Sequence, residues 1–251
     1  MLAGRRSRAK PGAGAKLGGD ITPFILDLVV SLQYDADIPS VIYGVIPINM
    51  SRLNILPDPA FQELKAALSE RLERIAGSLQ PEQFGSVLDP LMRQTIEHGF
   101  AEAGADEGTV WLLDHAGEFL VPAWNSGPHA DQLVGKFKQP LKAGLICMVF
   151  SSEQPFLENE VWKNSRQSKL LDSMLEVQTS AMIAVPFYFL RACRGVVSCV
   201  KLNKPNSTTK EESNSSNGFG PEHLAHVQRT TAILSQLVEL RLLSCTIGWS
   251  E

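Results

Sequence analysis

Two apolar runs constrain this chain more than any other feature. Ala181–Leu190 and Gly195–Leu202 are long, rich in β-branched and aromatic residues, and separated only by Arg191-Ala192-Cys193-Arg194. Strands with so little polar alternation must be covered on both faces, so this hairpin belongs at the centre of a sheet with a layer above and below it. A second hairpin precedes it. Thr109–Leu113 and Glu118–Trp124 flank the polar turn Asp114-His115-Ala116-Gly117.

Helices are expected outside these hairpins. Asp58-Pro59 is an N-cap and first-turn pair, since the Asp carboxylate can accept from free backbone N–H groups and Pro gives up one that lacks a partner. Phe61, Leu64, Leu68, Leu72 and Ile75 follow at spacings of three and four, which predicts an amphipathic helix to about Ala76 that needs a partner for its apolar stripe. Pro81–Ala103 reads as a second helix, irregular at Asp89-Pro90 and stopped by Gly104. A last helix opens at Gly220-Pro221-Glu222 and extends to 244, with Leu224, Val227, Leu234, Leu237 and Leu240 as its buried side.

The predicted organisation is therefore a basic tail over 1–20, expected to be disordered, and an extension of unassigned role over 21–57. A helical linker over 58–80, a main domain over 81–245 and a short tail over 246–251 follow. Residues 1–19 carry five basic side chains and no acid, although the whole chain has a net charge of −4. The folded body is thus acidic, which argues against nucleic acid as its partner. The longest apolar stretch near the start, Ile21–Leu32, is too short to span a bilayer and contains Asp27, so no membrane role is expected. Four cysteines with no CxxC pair fit reduced thiols, and cytoplasm is the expected location.

The order helix, hairpin, irregular middle, hairpin, helix resembles the GAF domain family. Ala143-Gly144-Leu145-Ile146 before Gln154-Pro155-Phe156-Leu157-Glu158-Asn159 is similar to its glycine–apolar–proline–acidic segment. Thr179-Ser180-Ala181-Met182-Ile183-Ala184-Val185-Pro186 resembles its Ser-x-x-x-x-Val-Pro strand, and Arg194-Gly195-Val196-Val197 with Leu202-Asn203-Lys204 its strand ending in Asn-Lys. Phe219 resembles the family phenylalanine that opens the closing helix. The resemblance implies an α+β fold: a central antiparallel sheet of about six strands with helices on both faces, and a ligand pocket under the segment Gly135–Thr179.

Members of that family bind cyclic nucleotides, haem, bilins or small metabolites, or dimerise without a ligand. The residues here weaken several of these options. Where cyclic-nucleotide binders have Asp-Glu after the phenylalanine, this chain has His223-Leu224. No cysteine is followed by histidine, as bilin attachment requires, and His129 is the sole histidine near the pocket segment for haem. A branch of the family reduces free methionine sulfoxide with a thiolate; Cys147 stands close to its cysteine, but Leu171-Asp172-Ser173-Met174 supplies no resolving sulfur. His223 and His226 share a helix face without an evident third metal ligand, and Cys193 and Cys199 flank a turn without a histidine or carboxylate cluster.

The aromatics Trp124, Phe137, Phe150, Phe156 and Trp162 fall in or beside the pocket segment, with Arg166, Ser168, Thr179 and Ser180 as candidate orienting groups. The sites expected to hold a ligand are Trp124, Phe150, Phe156, Trp162, Arg166, Ser168, Thr179 and Ser180; plain core packing by the aromatics is the alternative. The expected function is a non-catalytic sensor that binds an unknown small molecule, forms a homodimer, and signals through its terminal helices to a separate protein. A ligand-free docking module is the alternative. No cofactor can be named from the sequence.

Overall fold

The computed structural model describes residues 59–203 and 218–247, with side chains described from residue 62. The basic tail, the 21–57 extension, the N-cap Asp58, the side chain of Phe61, Lys204 and most of the polar 203–218 loop lie outside the described residues.

The first helix, α1 (Pro59–Ser78), buries Leu72 and Ala76 while Leu64 stays exposed. The predicted second helix is two: α2 (Pro81–Val87) and α3 (Pro90–Glu102). The break follows from Asp89, whose carboxylate accepts the Met92 N–H at 2.8 Å and so starts a new helix, with Pro90 in its first turn. Gly104, at φ 63°, lies just beyond the helix end.

Strands β1 (Glu107–Leu113) and β2 (Phe119–Asn125) form the first hairpin. A short helix α4 (Ala130–Leu133), the two-residue strand β3 (Gln139–Pro140), helix α5 (Leu145–Ser152), strand β4 (Phe156–Glu158), a 3₁₀ turn (Val161–Lys163) and helix α6 (Leu170–Leu175) make the irregular middle. Strands β5 (Thr179–Phe189) and β6 (Ala192–Leu202) form the second hairpin, and α7 (Pro221–Ile247) closes the fold. The sheet order is β3-β2-β1-β6-β5-β4, with every neighbouring pair antiparallel. The long hairpin strands sit inside, as their apolar runs require, and the two short strands form the edges.

Two boundaries differ from expectation. The β5–β6 turn is Leu190-Arg191 alone, both with positive φ, so the strands run further than the polar sequence suggested. Left-handed backbone is unfavourable for such side chains. The Glu239 carboxylate of α7 holds this turn, accepting the Leu190 N–H at 2.6 Å. Helix α7 also continues to Ile247, and Thr246 bonds back to the Leu242 carbonyl.

Alternation assigns the faces of the sheet. One face meets the long helices: Phe84 of α2 meets Phe187 edge-on at 6.2 Å, and Phe100 of α3 packs on Trp124 at 5.8 Å. Helix α3 approaches α7 so closely that a Cβ on Gly99 would fall 2.3 Å from Thr230 Cγ2. The other face carries Trp111, Met182, Ala184 and Val196, covered by Leu145, Ile146, Cys147 and Val149 of α5.

Candidate functional site

Beyond the end of α5 the same sheet face turns polar. Thr109 of β1, Asn125 of β2, Gln139 of β3, Thr179 of β5 and Ser198 of β6 are all buried, and all line one cavity of about 60 Å³ under α6 and its flanking loops. Sheet register brings them together: Thr109 pairs with both Asn125 and Ser198, and β5 lies on the far side of β6. Gly144 forms part of the wall at φ 95°, a backbone conformation glycine tolerates, and a Cβ there would lie 3.1 Å from Ser168.

Each buried polar group has a partner, as burial demands. Asn125 Nδ2 donates to Thr109 Oγ1 at 2.9 Å, and the Trp111 indole N–H donates to Ser198 Oγ at 2.9 Å. Gln139 Nε2 donates to the Ala143 carbonyl at 2.9 Å. Asp172 of α6 is the densest node. Its carboxylate accepts from Thr179 Oγ1 at 2.8 Å, the Thr179 N–H at 3.1 Å and Gln167 Nε2 at 2.9 Å, tying the lid helix to the start of β5.

Two carboxylates, Glu107 and Asp172, line the cavity, and among the described residues no Lys, Arg or His does. Half-burial pushes the Glu107 carboxyl above the usual carboxylate range, opposed in part by His129 nearby. Helix α6 itself buries no residue, and Leu170 and Met174 are exposed on it. The lid is therefore the loosely anchored part of the wall.

Of the eight residues expected to hold a ligand, Ser168 and Thr179 line this cavity and the other six lie outside its lining. Trp124 is on the opposite face against Phe100, because Asn125 takes the cavity side and neighbouring strand residues alternate. Phe150 and Phe156 pack at the margin of the apolar cluster beneath α5. Trp162 is exposed, with Lys163 Nζ 5.9 Å from its ring centroid. Arg166 is exposed and reaches Met148 Sδ at 3.4 Å, and the Ser180 hydroxyl donates to the Lys201 carbonyl at 2.9 Å. Glu107, Asn125, Gln139, Asp172 and Ser198 were not anticipated. Their signal in the sequence is a polar residue inside or ending an apolar strand, Ser198 between Val197 and Cys199 being the plainest case.

The other candidate groups have local roles. His223 Nδ1 accepts the Gly220 N–H at 2.8 Å at the start of α7. Among the described residues no group of three or more His, Cys, Asp or Glu is placed to hold a metal ion. Asn159 pairs in both directions with the backbone of Phe219, at 2.7 and 3.0 Å, and Lys201 lies over the Phe219 ring. Cys147 is buried, donates its S–H to the Pro140 carbonyl at 3.3 Å, and is pushed up to about 11 by burial. Burial likewise raises Cys193 to about 11 and raises Cys199 further. These three thiols are the reverse of an activated thiolate. Among the described residues no helix is long and apolar enough to cross a membrane.

No protein-family model matches the chain, and no curated protein matches it. Among solved structures it is similar to the GAF domain of a phosphoenolpyruvate-protein phosphotransferase from Coxiella burnetii, at 15% identity and a TM-score of 0.49, covering 77% of this chain and 100% of that one. The corresponding domain from Acinetobacter is similar at 14% identity and 0.46, covering 74% and 98%. A type II free methionine-R-sulfoxide reductase from Thermoplasma acidophilum is similar at 16% and 0.41, covering 60% and 96%. With six antiparallel strands, long helices on one face and an irregular lid over a cavity on the other, the chain has a GAF-like fold.

Proposed function

We propose that this chain is a non-catalytic sensor module that binds a small, donor-bearing polar molecule under α6 and relays its presence through α1, α3 and α7 to a separate signalling protein. The observation that carries this reading is the group of five buried polar residues on a sheet face that is otherwise apolar. A face serving only as core would be filled with apolar side chains at less cost in desolvation. The lining also selects ligand chemistry. Two carboxylates, with no basic residue among the described lining, disfavour phosphate-bearing molecules, cyclic nucleotides included, and favour neutral or cationic donors.

The cavity volume of about 60 Å³ is far below the ~300–1,000 Å³ of pockets for drug-sized ligands. The ligand is accordingly a molecule of few heavy atoms, or it enters as α6 lifts. Either event bears on β5 and β6, where Thr179 and Ser198 face the cavity, while the bulge after Thr179 and ordinary alternation beyond it turn Ala181, Ile183 and Val197 toward the helices. Raised thiol pKa values support the absence of cysteine chemistry. The test is native mass spectrometry of the full chain followed by denaturation of the same sample. Release of a stoichiometric small mass supports the sensor; its absence, with no thermal shift against a panel of amines and neutral metabolites, overturns it.

A second reading, docking without a ligand, rests on α7. Ile233, Leu237, Leu240 and Ile247 recur on its outer side at spacings suited to a two-helix seam, and Ile233, Leu240 and Ile247 are exposed. A second copy of the chain is the occupant proposed for this seam. Sedimentation of the wild type and Leu240→Glu tests it: a dimer converted to monomer supports the seam, and a wild-type monomer overturns it.

A further inference from the structure

A second concavity lies away from the cavity just described. It has a volume of about 250 Å³ and is bordered by the last turn of α1, the β1–β2 turn and the tip of the β5–β6 hairpin. Among the described residues its walls hold a cation and a backbone acceptor without partners. Arg194 of β6 is half-buried, with its guanidinium carbon 5.6 Å from the centroid of the Phe189 ring, a contact that limits its freedom. Among the described residues no carboxylate pairs with it, and its Nε is sealed from solvent without a hydrogen-bond acceptor. The acceptor is the carbonyl of Gly77. In a continuing helix it would take the N–H of residue 81, but that residue is Pro81, which has none.

The surroundings sharpen the sign of each end. The last turn of α1, which contributes Ala76 and Gly77, is the partly negative end of a helix. Asp114 adds a carboxylate on that side; its Oδ1 accepts the N–H groups of Glu118 and Phe119 at 2.8 and 3.0 Å, leaving Oδ2 available. A simple anion would gain from Arg194 but meet this negative end, and a simple cation would meet Arg194. A molecule carrying both charges suits both walls.

We propose that this groove is a binding site for a small zwitterion, a free α-amino acid, whose carboxylate meets the Arg194 guanidinium and whose ammonium group meets the Gly77 carbonyl and Asp114. The guanidinium edge matches a carboxylate in two parallel N–H···O bonds, which an ammonium side chain cannot reproduce. The site is independent of the cavity under α6, so either can fail without the other.

The experiment is thermal unfolding of the full chain against each of the twenty amino acids at millimolar concentration. For any amino acid that responds, its N-acetyl and carboxamide derivatives are then compared. The expected result is a rise in Tm of about 3–6 °C at ten times Kd for at least one amino acid. Blocking either the ammonium or the carboxylate should remove the rise. Arg194→Gln should abolish it and Arg194→Lys should weaken binding about tenfold or more, in proteins whose circular dichroism matches wild type. Asp172→Asn, in the other cavity, should leave it intact. No response from any amino acid, an equal response to the N-acetyl derivative, or an undiminished response in Arg194→Gln overturns the proposal.

Discussion

The helix-facing side of the sheet and the patch beneath α6 are built from the same strands by opposite rules. On the helix side Phe84, Phe187 and Phe189 interlock with ring centroids 5.3–6.2 Å apart, and α3 meets α7 with no room for a methyl group at Gly99. Beneath α6 the sheet presents Thr109 bonded to Asn125, Ser198 bonded by Trp111 and Thr179 bonded to Asp172, and the covering helix buries nothing. The first surface gains stability from apolar burial and dense packing. The second exchanges that gain for polar satisfaction, where each net hydrogen bond contributes only about 1 kcal/mol. A fold that concentrates stability on one side of a sheet can let the other side open without unfolding.

The largest effect should come from breaking the packed side. Phe187 is fully buried against Phe84 and Phe189. Phe187→Ala should cost about 3–5 kcal/mol by transfer and cavity terms together. Leu171→Ala, in the lid, should cost less than ~1.5 kcal/mol, because Leu171 is only half-buried. Urea titrations with a common m-value measure both, and equal costs would end the contrast between the two sides.

Next in size is Gly99→Ala. Its methyl would lie 2.3 Å from Thr230 Cγ2 and 2.5 Å from Oγ1, so one helix must move. We expect a loss of about 1–3 kcal/mol, as for other overpacked sites. Adding Thr230→Ala should recover part of it, because the two nearest atoms disappear. A double-mutant cycle reads that recovery as a coupling energy, and additive costs would place the strain elsewhere.

Asp172→Ala probes the polar side. It removes the acceptor for Thr179 and Gln167 and releases α6 from β5. Hydrogen exchange at the Thr179 amide should accelerate about 10–100-fold, as expected for losing ~1–3 kcal/mol of local bonding. Global unfolding should shift much less than for Phe187→Ala. If the whole domain lost stability equally, α6 would be part of the cooperative core and not a lid.

These differences explain what the sequence made legible. The β5–β6 hairpin and the terminal helices were readable because their apolar runs and three–four spacing reflect burial directly, and the antiparallel six-stranded sheet followed from the family resemblance. The cavity was not. Trp124 and Asn125 are adjacent, yet alternation sends one to the helices and the other to the cavity. A bulge between Val110 and Trp111 shifts the pairing there, and composition gives no sign of it. Aromatic residues drew attention to the pocket segment, whereas the lining is mostly aliphatic and small polar residues, with Trp111 its one aromatic among the described residues. The polar residues that do line it are distant in sequence and meet only through sheet register.

The smallest effect we predict is electrostatic and bears on the same boundary. Burial holds the Glu107 carboxyl above its ordinary value of 4.5. A carboxyl whose folded value is raised favours the protonated form in the folded state. Its contribution is therefore fully present below about pH 4.5 and is lost as pH rises through the folded value. At neutral pH the ionised, half-buried Glu107 opposes folding. Glu107→Gln should then raise stability modestly at pH 7, have no such benefit near pH 4, and flatten the pH dependence between those limits. Glu239 carries a raised value for the same reason on the helix side. There the carboxylate also holds the strained Leu190 turn, so Glu239→Gln should lose what Glu107→Gln gains. Paired pH titrations of stability separate the two. If Glu107→Gln were destabilising at pH 7, the Asn125 side-chain hydrogen bond to its carboxylate would outweigh the cost of burial, and the cavity would have one charge fewer to offer a donor-bearing ligand.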